Sequence, residues 1–225
     1  MKTKKAIKKT SEKKPEKRPE KKPGKTSEKK PEKKSEKILK ILIKEPFAEH
    51  TATSLSGILG ITRQGLWKIL NNLSEDNMIS LKSIANIKKS AVRVELEFKN
   101  PLILKTLSLL LTKESLHYGR WLSDFAELES HSDFIILFGS ILTNPKEAND
   151  IDILAVAEKK DFRAINEIKS KIQKTQAKGI HLIDLSKQEF EDELKKQNKT
   201  YIEALKKGVI LFGQDNFIKF IKEFK

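Results

Sequence analysis

Apolar positions recur with two different periods along this chain, and the switches between them mark its parts. Ile38, Leu39, Ile41, Leu42 and Ile43 predict a short, strongly apolar helix, and Thr53–Leu59 a second one stopped by Gly60. Thr62 is placed to cap a third helix, in which Leu66, Ile69, Leu70 and Leu73 fall at i, i+3, i+4 and i+7. After Asn77 the period changes to two. Ile79 and Leu81 open a strand; Val92, Val94, Leu96 and Phe98 then alternate with Arg93, Glu95, Glu97 and Lys99, the pattern of a strand with one wet face. Asn100 and Pro101 read as the cap and first position of another helix. Its leucines and isoleucine between Leu102 and Leu111 lie nearly all round, which predicts burial against the next domain or a second chain. Tyr118, Trp121, Leu122 and Phe125 return to helical spacing.

From Asp133 onward, strands and helices alternate. Two strand-length apolar runs, Phe134–Phe138 and Ile151–Ala157, bracket a loop, with Gly139-Ser140 at the first strand's end and Asp150-x-Asp152 at the second strand's start. A helix is expected over Asp161–Gln176, a strand over Ile180–Leu185, and a helix over Lys187–Lys196 with Ser186 and Glu189 as a capping box. Tyr201, Ile202 and Leu205 mark another helix ended by Gly208. Val209–Phe212 is a short strand, and Asn216–Lys225 a last amphipathic helix.

Charge changes the picture at the N-terminus. Residues 1–37 hold 17 Lys/Arg and 6 Glu, +11 of the chain's +15, leaving only +4 for the rest. SEKKPEK occurs at Ser11–Lys17 and again at Ser27–Lys33, and Pro15, Pro19, Pro23 and Pro31 interrupt any helix. With almost nothing apolar to bury, this segment is expected to be disordered. Two readings of it stand: a polycation that meets nucleic-acid phosphates, or a solubilising tail. There is no cysteine, so disulfides and thiolate sites are excluded. No apolar run reaches transmembrane length, and a cytoplasmic protein with no membrane partner is expected. His50, His117, His131 and His181 show no metal-ligand spacing.

The candidate chemistry sits in Asp133–Glu158. A glycine after a buried strand lets backbone amides approach a phosphate, and Ser140 adds a hydroxyl at a possible helix start. Asp150 and Asp152 are two apart in a strand, so their carboxylates share one face while Ile151 and Ile153 point into the core. Two carboxylates at a strand mouth form a hard-oxygen site suited to Mg²⁺, with a second metal as an option for activating an incoming hydroxyl.

The stretch LFGS, nine residues, DIDILAV resembles the signature of the polymerase-β-type nucleotidyltransferases in their minimal form, and the resemblance runs through GVILFG to residue 225. It implies transfer of a nucleoside monophosphate from an NTP, ATP first among them, to a protein, RNA or small-molecule acceptor. By that match Gly139 and Ser140 bind phosphate, and Asp150 and Asp152 bind Mg²⁺ and carry catalysis. The family's third carboxylate is not evident: aligned on IHLIDL, His181 takes its position, and Asp184 would serve only after a register shift. Lys146 is the only basic residue in the segment after Gly-Ser. Minimal members are also often paired with HEPN-like proteins, so such a partner is implied; a homodimer contact is expected separately, from the apolar helices over 100–130.

Upstream, helix, helix, helix and a hairpin with a basic tip resemble a winged helix-turn-helix domain. The resemblance makes Thr62–Leu73 a recognition helix, with Arg63, Gln64, Trp67 and Lys68 facing DNA and Lys88 and Lys89 on the wing. The whole reads as an α+β chain: a disordered basic tail (1–37), a winged helix-turn-helix (38–100), connecting helices (101–130), and a small mixed-sheet nucleotidyltransferase domain flanked by helices (131–225). Two functions follow: a transferase targeted by a DNA-binding domain, or a DNA-binding regulator or antitoxin whose transferase-like domain binds nucleotide or partner with little turnover.

Overall fold

The computed structural model describes residues 32–84 and 91–224, so the tail over 1–31 and the wing lysines Lys88 and Lys89 lie outside the described residues. The first helix, α1 (Lys34–Lys44), starts four residues before the boundary drawn from sequence. Ser35, Glu36 and Lys37 continue the helix that Ile38, Leu39, Leu42 and Ile43 anchor in the core. Next come α2 (Ala52–Leu59), closed by Gly60 at φ 60°, and α3 (Arg63–Glu75). Thr62 caps α3 by accepting from the Gly65 amide at 3.1 Å. Strands β1 (Ile79–Ile84) and β2 (Ala91–Leu96) pair antiparallel, with Ile79 opposite Leu96 and Leu81 opposite Val94.

Helix α4 (Pro101–Ser115) is capped by Asn100, whose Oδ1 accepts from the Leu102 amide at 2.9 Å. The Asn100 side-chain amide also donates to the carbonyls of Asp76 and Asn77, fastening α4 to the turn after α3. α4 packs on α1 at one end of the chain and on late elements at the other, so it links rather than merely connects. Its burial is one-sided, contrary to the sequence expectation. Ile103, Leu107, Leu110 and Leu111 are buried, while Leu102 and Leu109 are each more than half exposed, as is Leu116 in the turn that follows. The helix expected around Trp121 is only α5 (Gly119–Asp124), flanked by 3-10 turns at Leu116–Tyr118 and Ala126–His131. Trp121 and Phe125 still stack, with ring centroids 6.1 Å apart.

The second sheet comprises β3 (Phe134–Phe138), β4 (Asp150–Val156), β5 (Gly179–Leu185) and β6 (Val209–Phe212), in the order β5-β4-β3-β6. β3 is antiparallel to both β4 and β6, and β4 and β5 run parallel through the crossover helix α6 (Phe162–Gln173). α7 (Lys187–Lys195), α8 (Lys199–Lys207) and α9 (Gln214–Phe224) complete the body. Ser186 and Glu189 form the expected capping box on α7. One face of the sheet packs on α5, α6 and the turn between them, through Ile135, Leu137, Ile151, Ile153 and Ile165. The other packs on α4, α7, α8 and α9; there Phe134 lies 5.5–6.1 Å, centroid to centroid, from Phe190, Phe217 and Phe220. This second core runs without a break from Ile38 of α1 to Ile221 of α9, and the described residues form one compact unit. Among the described residues, no helix is long and apolar enough to cross a membrane.

Candidate active site

The site forms where β3 ends and β4 begins. Ile151 and Ile153 are buried against α6, and strand alternation sends Asp150 and Asp152 to the opposite face. Phe138 is the register partner of Asp152, which brings the residue after it, Gly139, against the aspartate. Gly139 has φ 82°, and a Cβ there would lie 2.0 Å from Asp152 Oδ2. Only glycine both adopts this backbone and leaves room for the carboxylate.

After Gly139 the chain makes a single 3-10 turn, Ser140–Leu142, rather than the α-helix start anticipated at Ser140. The reason is local. The Thr143 and Asn144 amides both close on the Ser140 carbonyl, at 3.0 and 2.8 Å, and Pro145 follows. A macrodipole therefore contributes little here. What remains for an anion is the exposed Ser140 hydroxyl and the amides of Ser140 and Ile141, which have no acceptor among the described residues.

His181 completes the cluster. The parallel register sets it beside Asp152, and its Nδ1 lies 3.1 Å from Asp152 Oδ1. The Asp152 side chain is 18% exposed and that of His181 62%, so the pair sits at a rim with the imidazole outward. Asp184 takes no part. It lies on the α6 face, where its Oδ2 accepts from the Asn166 side-chain amide at 3.0 Å. β5 pairs with β4 in unbroken register, so the shift that would bring Asp184 round does not occur.

Two residues outside the motif hold this arrangement. The Lys178 ammonium donates to the Ala148 carbonyl, pinning the loop two residues before Asp150. Gln173 at the end of α6 grips the start of β5, donating to the Lys178 carbonyl at 3.0 Å and accepting from the Ile180 amide at 2.6 Å. Neither had a signal in the sequence, because both act on backbone atoms brought near by the crossover. Lys146 is exposed on the loop.

Among the described residues, no three His, Cys, Asp or Glu side chains converge as a metal cage. Two carboxylates on one face do match the needs of Mg²⁺, which keeps several waters and takes substrate phosphate oxygens alongside one or two carboxylates. They do not match a closed tetrahedral site.

In the upstream part, Arg63, Gln64 and Lys68 are exposed on α3, whereas Trp67 is half-buried and packs against the core. No curated protein and no solved structure matches the chain. Residues 122–216, which include Gly139, Ser140, Asp150, Asp152 and His181, match the model of the family described as Polymerase beta, Nucleotidyltransferase, so this part of the chain is similar to a nucleotidyl-transferring domain.

Proposed function

We propose that the protein is a Mg²⁺-dependent nucleotidyltransferase that moves a nucleoside monophosphate from an NTP, with ATP the first candidate, to an acceptor hydroxyl. The observation that carries this is the meeting of Asp152, Gly139 and His181 at the mouth of β4, with Asp150 on the same face. Asp150 and Asp152 would hold Mg²⁺, whose chemistry there is to neutralise phosphate charge and favour in-line attack. The Ser140 and Ile141 amides and the Ser140 hydroxyl orient the triphosphate. The acceptor oxygen then bonds the α-phosphorus, the α–β bridging P–O bond breaks, and pyrophosphate leaves. With the Nδ1–H tautomer, His181 donates to Asp152 and turns Nε2 outward, where it can take the acceptor's proton. A carboxylate on Nδ1 orients the base in the same way in Asp-His pairs generally. The direct test is incubation with α-labelled NTPs and Mg²⁺ beside protein, RNA and small-molecule acceptors. Acceptor-dependent label transfer is expected, and its absence with every class would overturn the reading.

Gly139→Ala probes the same geometry without removing a charge. The new methyl group meets the Asp152 carboxylate, and a displacement on the scale of an ångström lowers transfer by roughly a hundredfold. The forced φ also destabilises the fold by about 1–3 kcal/mol. Wild-type transfer rates in this variant would remove Gly139 from the site.

The order α1-α2-α3-β1-β2 supports a winged-helix role in targeting, with α3 presenting Arg63, Gln64 and Lys68 to DNA. Trp67 contributes mainly to packing. In Arg63→Ala/Lys68→Ala, duplex affinity is expected to fall at least about tenfold, with a shallower salt dependence. Unchanged affinity across a salt series would exclude α3 as the reader. A second reading, a DNA-binding regulator with little turnover, is favoured by one observation: the only acid on β5, Asp184, faces away from Asp150 and Asp152. It predicts NTP binding without label transfer.

A further inference from the structure

α1 carries Lys34, Lys37, Lys40 and Lys44 at steps of three and four residues, a single stripe along one side of the helix. That stripe lines a cavity of about 320 Å³ shared with the ends of α2, α4 and α8, and α8 contributes Lys206 and Lys207. Lysines from two elements, α1 and α8, line the same cleft. Six lysines line it against Glu32, Glu45 and Glu114, and Glu203 pairs with Lys207 beside it, an excess of two positive charges. Such a surplus repels itself unless an anion offsets it.

The glutamates bridge the cleft without filling it. Lys40 contacts Glu32 and Glu114 at 2.9 and 3.2 Å, Lys206 contacts Glu45 at 3.0 Å, Lys207 pairs with Glu203, Lys34 donates to the Leu59 carbonyl at 3.0 Å, and Lys37 has no ionic partner among the described residues. Lys44, only 7% exposed, stands at the floor. Its ammonium lies 2.6 Å from Glu114 Oε2 and donates to the Gly208 carbonyl at 2.7 Å. Burial pulls its pKa below the usual lysine range, against the opposing effect of Glu114.

We propose that this cleft binds a polyphosphate group, inorganic or borne by a nucleotide, at a site separate from Asp150 and Asp152. Lysines spread along α1 and onto α8 suit an anion with several charged centres in a row. No arginine lines the cleft, and lysine's compact ammonium binds phosphate as a point charge, whereas planar carboxylates are better met by guanidinium forks. The volume falls in the range of small-molecule sites.

The test uses the full chain carrying Asp150→Asn/Asp152→Asn, in EDTA, so that neither the catalytic aspartates nor Mg²⁺ contributes. Calorimetric titration with inorganic triphosphate and with ATP should give saturable binding, and adenosine should give none. ATP equal to triphosphate assigns recognition to the phosphates alone; tighter ATP adds a base contact within the same site. Lys37→Glu/Lys207→Glu, both exposed rim positions, should weaken triphosphate at least tenfold. The charge-matched control Lys219→Glu/Lys222→Glu on α9 should change it less than twofold, with circular dichroism confirming folding of each. Equal loss in both variants would mean a general charge effect, including binding by the N-terminal lysines, and would overturn the proposal. So would an absence of saturable binding. Loss of duplex DNA affinity in the cleft variant with no triphosphate binding would reassign these lysines to DNA and overturn it as well. Because the readout is binding without Mg²⁺, it stands or falls apart from nucleotidyl transfer.

Discussion

Asp152→Asn is expected to abolish label transfer while leaving the protein at least as stable as the parent. The amide has nearly the carboxylate's shape, so it still fits against Gly139 and can still accept from His181 Nδ1. What it loses is the charge. A site that works by neutralising phosphate oxygens through a bound cation then loses its main electrostatic element, a deficit of roughly a thousandfold or more. Stability should move the other way, because Asp150 and Asp152 repel one another across one strand face and that repulsion is relieved. Label transfer and thermal melting on the same preparation separate the two effects. Asp150→Asn should behave similarly, and transfer that persists unchanged in both variants would remove these residues from the chemistry.

Leu107→Ala is expected to destabilise the whole body rather than one half of it. Leu107 is fully buried on α4, which touches α1 on one side and β6 and α9 on the other. Truncation leaves a cavity in a core that runs from Ile38 to Ile221, at a cost of about 3–4 kcal/mol. For a body of this size that corresponds to a fall of about 10 °C in melting temperature. Calorimetry should show one transition in wild type and variant alike, with DNA affinity and label transfer lost together on heating. Two resolved transitions would mean that the upstream and downstream parts fold independently.

Much of this was legible in the sequence because the signals are local. Thr62, Asn100 and Ser186 cap their helices through atoms two or three residues away, so spacing alone reveals them. Asp150 and Asp152 share a face because a strand's period requires it, and the same parity already separated His181 from Asp184. The pairing of His181 with Asp152 needed the register of two strands joined by a crossover, which no local pattern fixes. The same limit hid Lys178 and Gln173, whose partners are backbone atoms common to every residue. Ser140 misled because a glycine-serine pair after a strand is compatible with either a helix or one tight turn; Asn144 and Pro145 decide it. α4 misled because composition shows how much of a helix is apolar, not which of its leucines find neighbours. Leu102 and Leu109 find few.

The seating of α4 bears on the order in which the protein can become competent during synthesis. Its inner face is covered by β6 and α9, which are made about a hundred residues later. Until Val209–Phe224 has left the ribosome, α1–α4 would carry an uncovered apolar side, and β3 would lack an edge partner. The upstream helices therefore lack part of their apolar cover until β6 and α9 are made, and a chain halted before β6 would present sticky surface to chaperones. Burial of the inner face of α4 is therefore among the last events in making this chain.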